Sequence, residues 1–390
     1  MNRYNFPTLI LAGAESRFET FRLLREWGLT SPLLVTDKML AKLPCVQEFL
    51  AKAAAQEALR MSLYDGVFGN PVVSQVTHGV LAYREHRCDS IIAMGGGAAL
   101  DVAKAIALMV HHPGHLFDYE DEKPGALPVD QFIPQMIAIP TTAGTGSEVG
   151  RSAVVSDEIT HAKKIIFSPR LLPNAVCLDP MLTLGLPAHV TASTGMDALT
   201  HVVESYLVET YHPLCDGIAL EALRLIHTSL LACVNFARAG SVVASGQHIE
   251  ARLNMLHASM MGAVAFQKGL GVTHSCAHAL STVCDMHHGL ANGIMLVPCM
   301  RFNQDVARVK MEQMAKTLEL TDSSHLADAF IAYLKTLREG VGVPASLREP
   351  GVLESHIPAL VEVAVRDVCH QNDPKRVSAD DFERLFREAL

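Results

Sequence analysis

Apolar residues follow two different rhythms along the chain. In the first half, short unbroken runs end in turn-forming residues: SPLLVTD (31–37), DSIIAMGGG (89–97), QMIAIPTT (135–142) and NAVCLDP (174–180). Each reads as a buried strand. Between them, FETFRLLREWG and NPVVSQVTHGVLAYREH repeat apolar positions at the spacing of an amphipathic helix. Strands that lack polar alternation and are separated by helices predict a mainly parallel sheet covered on both faces.

From about Thr191 onward the rhythm becomes helical. MDALTHVVESYLV, CDGIALEALRLIHTSLLACVNFA, ARLNMLHASMMGAVAF, DVARVKMEQMAKTL and HLADAFIAYLKTLREG are rich in Ala, Leu, Met and Glu, and strand signals are scarce. The change falls near Leu184–Pro187, which predicts an α/β domain over residues 1–185 and an all-helical domain over 186–390. EDEKPGALPVDQ (120–131) reads as a surface loop, and no internal repeat is evident. The most apolar stretches, such as AKAIALMV, are too short to span a bilayer.

Composition narrows the class. At 390 residues, 49% hydrophobic and 19% charged, the chain can fill two domain cores. A net charge of −9 with no dense basic cluster argues against a nucleic-acid partner. Nine scattered cysteines without a CxxC pair suit a reducing cytosol, and the N-terminal residues show no signal-peptide pattern. The expectation is a cytoplasmic protein with no membrane partner.

Two loops point to a nucleotide. IIAMGGGAALDVAKAIALMV is a strand, three glycines and a helix, so the backbone can approach a phosphate at a helix N-terminus. IAIPTTAGTGSEVG follows another strand and crowds Thr, Gly and Ser into a second loop. Two such loops at neighbouring strand ends suit a dinucleotide. Asp37, closing LLVTD, is placed either to accept hydrogen bonds from an adenosine ribose, favouring NAD over NADP, or to cap the turn before KML.

The other cluster is metal-like. TGMDALTHVVESY sets Asp197 and His201 four residues apart on one helix face. His274 and His278 repeat that spacing, and His287 and His288 follow. Asp197, His201 and two of the downstream histidines would make a divalent site suited to Fe²⁺ or Zn²⁺. Spacing leaves open His274 against His278, and His287 against His288. Cys276 and Cys284 read as core filler.

GGGAALDVAK, PTTAGTGSEV, LDPMLTLGLP, TGMDALTHVVESY, GLGVTHSCAHAL and HHGLAN, in that order, resemble the iron-containing alcohol dehydrogenase family over nearly the whole chain. The resemblance implies an N-terminal Rossmann-like α/β dinucleotide-binding domain and an all-α C-terminal domain, together a dehydroquinate synthase-like fold. It implies Asp197, His201, His274 and His288 as ligands of one metal, Fe²⁺ before Zn²⁺, with His278 beside the nicotinamide and a candidate proton relay. Asp37 would meet the adenosine ribose of NAD and Asn70 the nucleotide. Gly96, Gly97 and Ala98 would hold the pyrophosphate, Thr141, Thr142, Thr145 and Ser147 would continue the cradle, and Lys163 and Leu182 would complete its wall. The implied partners are a small alcohol or aldehyde substrate and a second copy of the chain, in a homodimer or larger assembly.

Some positions depart from the family pattern. Ala98 replaces the usual Ser, Gly150 and Ser152 stand where relatives often carry Thr and a larger residue, and His287 replaces a common Pro. The other functions the pattern admits are a glycerol-type polyol dehydrogenase, a maleylacetate-reductase-like enzyme without metal, a dehydroquinate-synthase-like lyase, and a non-catalytic NAD-binding protein. The full Asp/His/His/His set weighs against the metal-free version.

Overall fold

The computed structural model describes residues 5–6, 8–160, 162–240, 245–321 and 325–390. The chain divides into two compact units, one of Phe6–Thr142 with Gly146–Thr183, the other mainly Leu184–Leu390 with Ala143–Thr145.

The first unit alternates strands and helices: β1 (Leu9–Ala12), α1 (Glu19–Glu26), β2 (Pro32–Asp37), α2 (Pro44–Ala54), β3 (Ser62–Val67), α3 (Val73–Glu85), β4 (Ser90–Gly95), α4 (Gly97–Met109), β5 (Gln135–Pro140), β6 (Ser152–Ser156), β7 (Lys163–Phe167) and β8 (Ala175–Leu178). Six strands form one sheet in the order β1-β8-β5-β4-β2-β3, with every pair parallel. The unbroken apolar runs are explained by burial on both faces. Leu34, Ile92, Met94, Ile137 and Ile139 share a core with Leu23 and Leu24 of α1 and Val46 and Phe49 of α2. The alternate residues Leu33, Val35, Ile91 and Ala93 are equally buried, and α3 and α4 pack against strands of the sheet. Each such side chain contributes roughly 1.5–3 kcal/mol relative to exposure.

The chain runs from β2 outward to β3 and then returns past β2 to β4. The connections therefore diverge at the carboxyl ends of β2 and β4, the place where open parallel sheets bind ligands. Gly95 makes the β4–α4 turn close: a Cβ there would lie 2.5 Å from the Ala99 Cβ. β1, β3 and the antiparallel pair β6–β7 lie outside the four strands that apolar runs predict. β3 contains Asp65 and Gly66, and β6 alternates buried and half-buried residues, so neither carries an unbroken run.

Beyond Leu184 the described residues form helices and turns only: α5 (Ala188–Leu207), α6 (Pro213–Arg238), α7 (Gly246–Ala265), α8 (Val272–Cys284), α9 (His288–Thr317), α10 (Leu326–Val341), α11 (Ile357–Arg366) and α12 (Ala379–Ala389). Two features differ from expectation. α6, at 26 residues, is long and apolar enough to cross a membrane by length and composition. Its buried stripe, Cys215, Ala219, Leu223, Ile226, Leu230 and Val234, instead packs against α5 and α7 as a core helix. DVARVKMEQMAKTL, which reads as a helix of its own, is the later part of one long helix, α9, that continues through Pro298. A helix-interior proline costs about 3 kcal/mol. The fully buried neighbours Ile294, Met295, Leu296, Cys299 and Met300 offset it.

Candidate active site

α5 is buried along most of its length, so the four-residue spacing of Asp197 and His201 aims both side chains into protein. Asp197, His201 and His274 are 3%, 5% and 1% exposed. His274 lies in the first turn of α8, and His288 is the first residue of α9. Single ligand atoms of Asp197, His274 and His288 all lie within 4.8 Å of one another. The Nε2 of His288 is 3.5 Å from Oδ1 of Asp197. His201 lies outside that three-atom group, its ring stacked on that of His274 with centroids 4.7 Å apart. From α9, Asn292 donates to Asp197 Oδ1 at 2.7 Å, and its Nδ2 lies 3.1 Å from Nε2 of His288 and 3.4 Å from Nε2 of His274.

Glu204, one turn beyond His201 on α5, organises the other side. Its carboxylate accepts the backbone N–H groups of Gly271, Thr273 and His274 and the Nδ1–H of His274, the last at 2.7 Å. Asp373 takes the remaining N–H of that turn, from Val272, at 3.0 Å. The four amides that a helix leaves unpaired at its start are thus met by two carboxylates, the buried Glu204 and the half-buried Asp373. Burial would raise Glu204, yet the hydrogen bond from His274 and those from the backbone hold it below the ordinary carboxylate range.

This arrangement fits a cation. With Nδ1 donating to Glu204, His274 turns the lone pair of Nε2 toward Asp197 and His288. Acceptors that converge in buried space repel one another unless positive charge stands among them. Burial pushes Asp197 up, but His201, His288, His274 and the Asn292 hydrogen bond outweigh it and hold the carboxyl at about 2. Burial pushes the His201 imidazole down to about 4. Both groups therefore stand in their metal-ligating forms at neutral pH.

Gly289 sets the approach of α9 to α5. A Cβ there would run into the backbone carbonyl oxygen of Ser193 and come within 3.2 Å of the Asp197 Cβ. Gly289→Ala is expected to displace His288 from Asp197, destabilising the fold by about 1–3 kcal/mol and weakening metal retention about tenfold or more. Thermal unfolding and a metal titration of the variant check this, and an unchanged metal affinity would refute it.

In the α/β unit the nucleotide candidates line up along one sheet edge. Asp37 ends β2, Asn70 follows β3, Gly96 to Ala98 turn from β4 into α4, and Thr141 and Thr142 follow β5. These are the carboxyl ends of four neighbouring strands. Gly97 and Ala98 open α4, whose first amides have no carbonyl behind them in the helix. Thr141 N–H donates to Gly95 O at 3.0 Å, tying the two loops together. Asp37 Oδ1 accepts the amides of Met39 and Leu40, so one oxygen anchors the following turn. Ser147 donates its hydroxyl hydrogen to Asp101 and accepts from the buried Lys104. Thr145 is exposed within Ala143–Thr145, Lys163 opens β7 opposite Ser156, and Leu182 is buried in the sheet core after β8.

A family model described as iron-containing alcohol dehydrogenase matches residues 7–180, and one for the C-terminal part of the Fe-containing alcohol dehydrogenase family matches residues 191–390. The chain belongs to the iron-containing alcohol dehydrogenase family. It is 36% identical over 373 residues to the 4-hydroxybutyrate dehydrogenase of Cupriavidus necator, covering 93% of each chain. A crystal structure of a 1,3-propanediol oxidoreductase superposes with a TM-score of 0.92 at 32% identity over 100% of both chains. A sulfoacetaldehyde reductase from Bifidobacterium kashiwanohense, solved with NAD⁺, gives 0.88 at 28% identity, covering 100% of this chain and 98% of that one.

This member of the iron-containing alcohol dehydrogenases is thus an NAD-linked alcohol dehydrogenase/aldehyde reductase that works with a divalent metal. Its fold is the expected pairing of a parallel-sheet α/β domain with a helical one. His278 lies one turn beyond His274 on α8, its ring parallel to that of His288 with centroids 5.1 Å apart. Its Nδ1 donates to Asp367 at 2.7 Å. His287 caps α9 and is exposed. Cys276 is fully buried, and Cys284 is part-buried with its thiol 3.6 Å from Nδ1 of His356. At Gly150, a Cβ would press on Lys104 Nζ at 3.4 Å.

Sequence reasoning passed over Glu204, Asn292 and Asp367. Glu204 carried a signal, an acid three residues after His201 inside an apolar helical stripe. Asn292 stands one turn after His288 in the same way. Asp367 had none, because its partners lie far back in the chain at positions 275 and 278.

Proposed function

We propose that Asp197, His201, His274 and His288 hold one divalent metal, Fe²⁺ before Zn²⁺, and that His278 carries the hydroxyl proton of a small primary alcohol or hydroxy compound. The observation that carries the ligand set is the convergence of Asp197, His274 and His288, locked by Glu204 and Asn292. In this proposal residues 1–185 serve the nucleotide. Asp37 faces the adenosine ribose, Asn70 the nucleotide, and Gly96, Gly97 and Ala98 the pyrophosphate. Thr141, Thr142, Thr145, Ser147, Lys163 and Leu182 form the surrounding wall. Residues 186–390 serve metal and substrate. When bound, the ion supplies Lewis acidity toward the substrate oxygen, and the nicotinamide takes up or returns the hydride of the carbinol carbon.

The side chains divide the remaining work. Asp197 and the three imidazoles offer one anionic and three neutral donors, so a bound divalent ion keeps net positive charge toward substrate. His278 is about a third exposed. Its Nε2 receives the hydroxyl proton on oxidation and passes it to water, and returns one on reduction. The relatives' names support a small substrate with a second polar group. The nine free cysteines and the acidic balance support a cytosolic protein without nucleic-acid or membrane partners. A homodimer or larger homo-oligomer completes the proposal.

The test is to strip the purified protein with a chelator and reload it separately with Fe²⁺ and Zn²⁺. At a metal concentration one hundred times Kd, binding adds about 2.7 kcal/mol of stability and raises Tm by about 5–10 °C. NADH formation across small alcohols and diols should return with Fe²⁺. A Tm indifferent to metal would overturn the ligand set.

A further inference from the structure

We infer that Asp367 is a positioning residue for His278, holding its imidazole with the hydrogen on Nδ1 and the lone pair of Nε2 free for the substrate's hydroxyl proton. The inference rests on the proposed relay role of His278 and deepens it.

Asp367 immediately follows α11, and its carboxylate is divided between two tasks. Oδ2 accepts Nδ1–H of His278 at 2.7 Å. Oδ1 accepts the hydroxyl of Ser275 at 2.7 Å and the backbone N–H of Cys369 at 2.9 Å. The Ser275 hydroxyl in turn accepts the N–H of His370 at 2.9 Å. Ser275 and His278 are three apart on α8, so one helix face presents both donors to one carboxylate. A neutral imidazole has one N–H and one lone pair, and the partner of one nitrogen decides the state of the other. With Nδ1–H committed to an anion anchored by two further donors, the ring can neither flip nor exchange tautomer without breaking a charge-assisted bond. A carboxylate behind an imidazole works this way in hydrolytic triads. The ring plane is fixed as well, lying 18° from that of His288.

The same three groups, His278, Asp367 and Cys369, lie close enough to suggest a second cation site. The 2.7 Å contact already commits Nδ1 as a donor, and burial pushes the Cys369 thiol well above its ordinary range, so no thiolate is offered. The arrangement is an oriented imidazole, not a second metal site.

The experiment is a double-mutant cycle on the metal-loaded enzyme with Asp367→Ala, Asp367→Asn, His278→Ala and His278→Ala/Asp367→Ala. Each protein is assayed for kcat, KM for alcohol and for NAD, metal per chain and Tm. Asp367→Ala should lower kcat about 10–100-fold while metal content and KM for NAD stay at wild-type values. The double variant should be no slower than His278→Ala alone. Asp367→Asn, which keeps volume and one acceptor oxygen, should fall between wild type and Asp367→Ala. If Asp367→Ala slows the His278→Ala enzyme by the same factor as it slows the wild type, the residue only pins the 367–370 segment, and the inference is wrong. A slow His278→Ala enzyme beside a wild-type-like Asp367→Ala enzyme also overturns it but leaves the relay standing. A fully active His278→Ala enzyme removes the relay and this inference together, without touching the metal ligands.

Discussion

In a His274→Ala variant, bound metal and alcohol-dependent NADH formation collapse while the fold persists. A four-ligand divalent site in a small protein releases about 10–16 kcal/mol, so losing one ligand of four costs about 2.5–4 kcal/mol, or roughly 10²–10³-fold in metal affinity. Activity should drop at least as far, because the ion that remains is also misplaced. The scaffold survives because Glu204 keeps the amides of Gly271, Thr273 and His274 as donors when the imidazole is removed. Far-UV circular dichroism should therefore match wild type, while metal analysis of the dialysed protein shows far less than one ion per chain. Full metal content in this variant would mean that His274 is not a ligand.

Replacing Glu204 with Gln should do the reverse and damage fold and metal together. The groups that hydrogen-bond this carboxylate are all donors, three backbone amides and Nδ1–H of His274. Glutamine offers one acceptor oxygen and brings an NH₂ into that set. Each buried donor left unmet costs about 1–3 kcal/mol, and loss of an anion at the start of α8 adds about 0.3–1 kcal/mol. A total of several kcal/mol is a large part of the roughly 5–15 kcal/mol available to a domain. The freed His274 ring would also weaken metal binding about 10–100-fold. Urea unfolding and metal titration of Glu204→Gln measure the two effects separately. If both stay at wild-type values, the carboxylate is not what orients His274.

These two residues also mark the limit of legibility. His274 belonged to a motif, yet spacing alone left it level with His278, because both stand on one face of α8. What separates them is long-range. His274 Nδ1 meets Glu204 of α5, which aims Nε2 at Asp197 and His288, whereas His278 Nδ1 meets Asp367 after α11. His287 and His288 were likewise adjacent in sequence, and the start of α9 leaves one exposed and turns the other to Asp197. Gly289 makes that possible by letting α9 touch the Ser193 backbone.

The sequence by itself determined the alternation of strands and helices, the change to an all-helical second half, the two glycine- and threonine-rich loops after strands and the Asp/His composition of the proposed metal cluster. Those are local properties: apolar period, turn chemistry and spacing within one helix. Tertiary structure alone decided the strand order β1-β8-β5-β4-β2-β3 and the passage of α9 through Pro298. It also decided the carboxylate behind each of His274 and His278. Strand order and helix packing depend on which distant surfaces bury each other, and a buried donor takes whatever acceptor packing brings to it. Neither is written in the spacing of neighbouring residues.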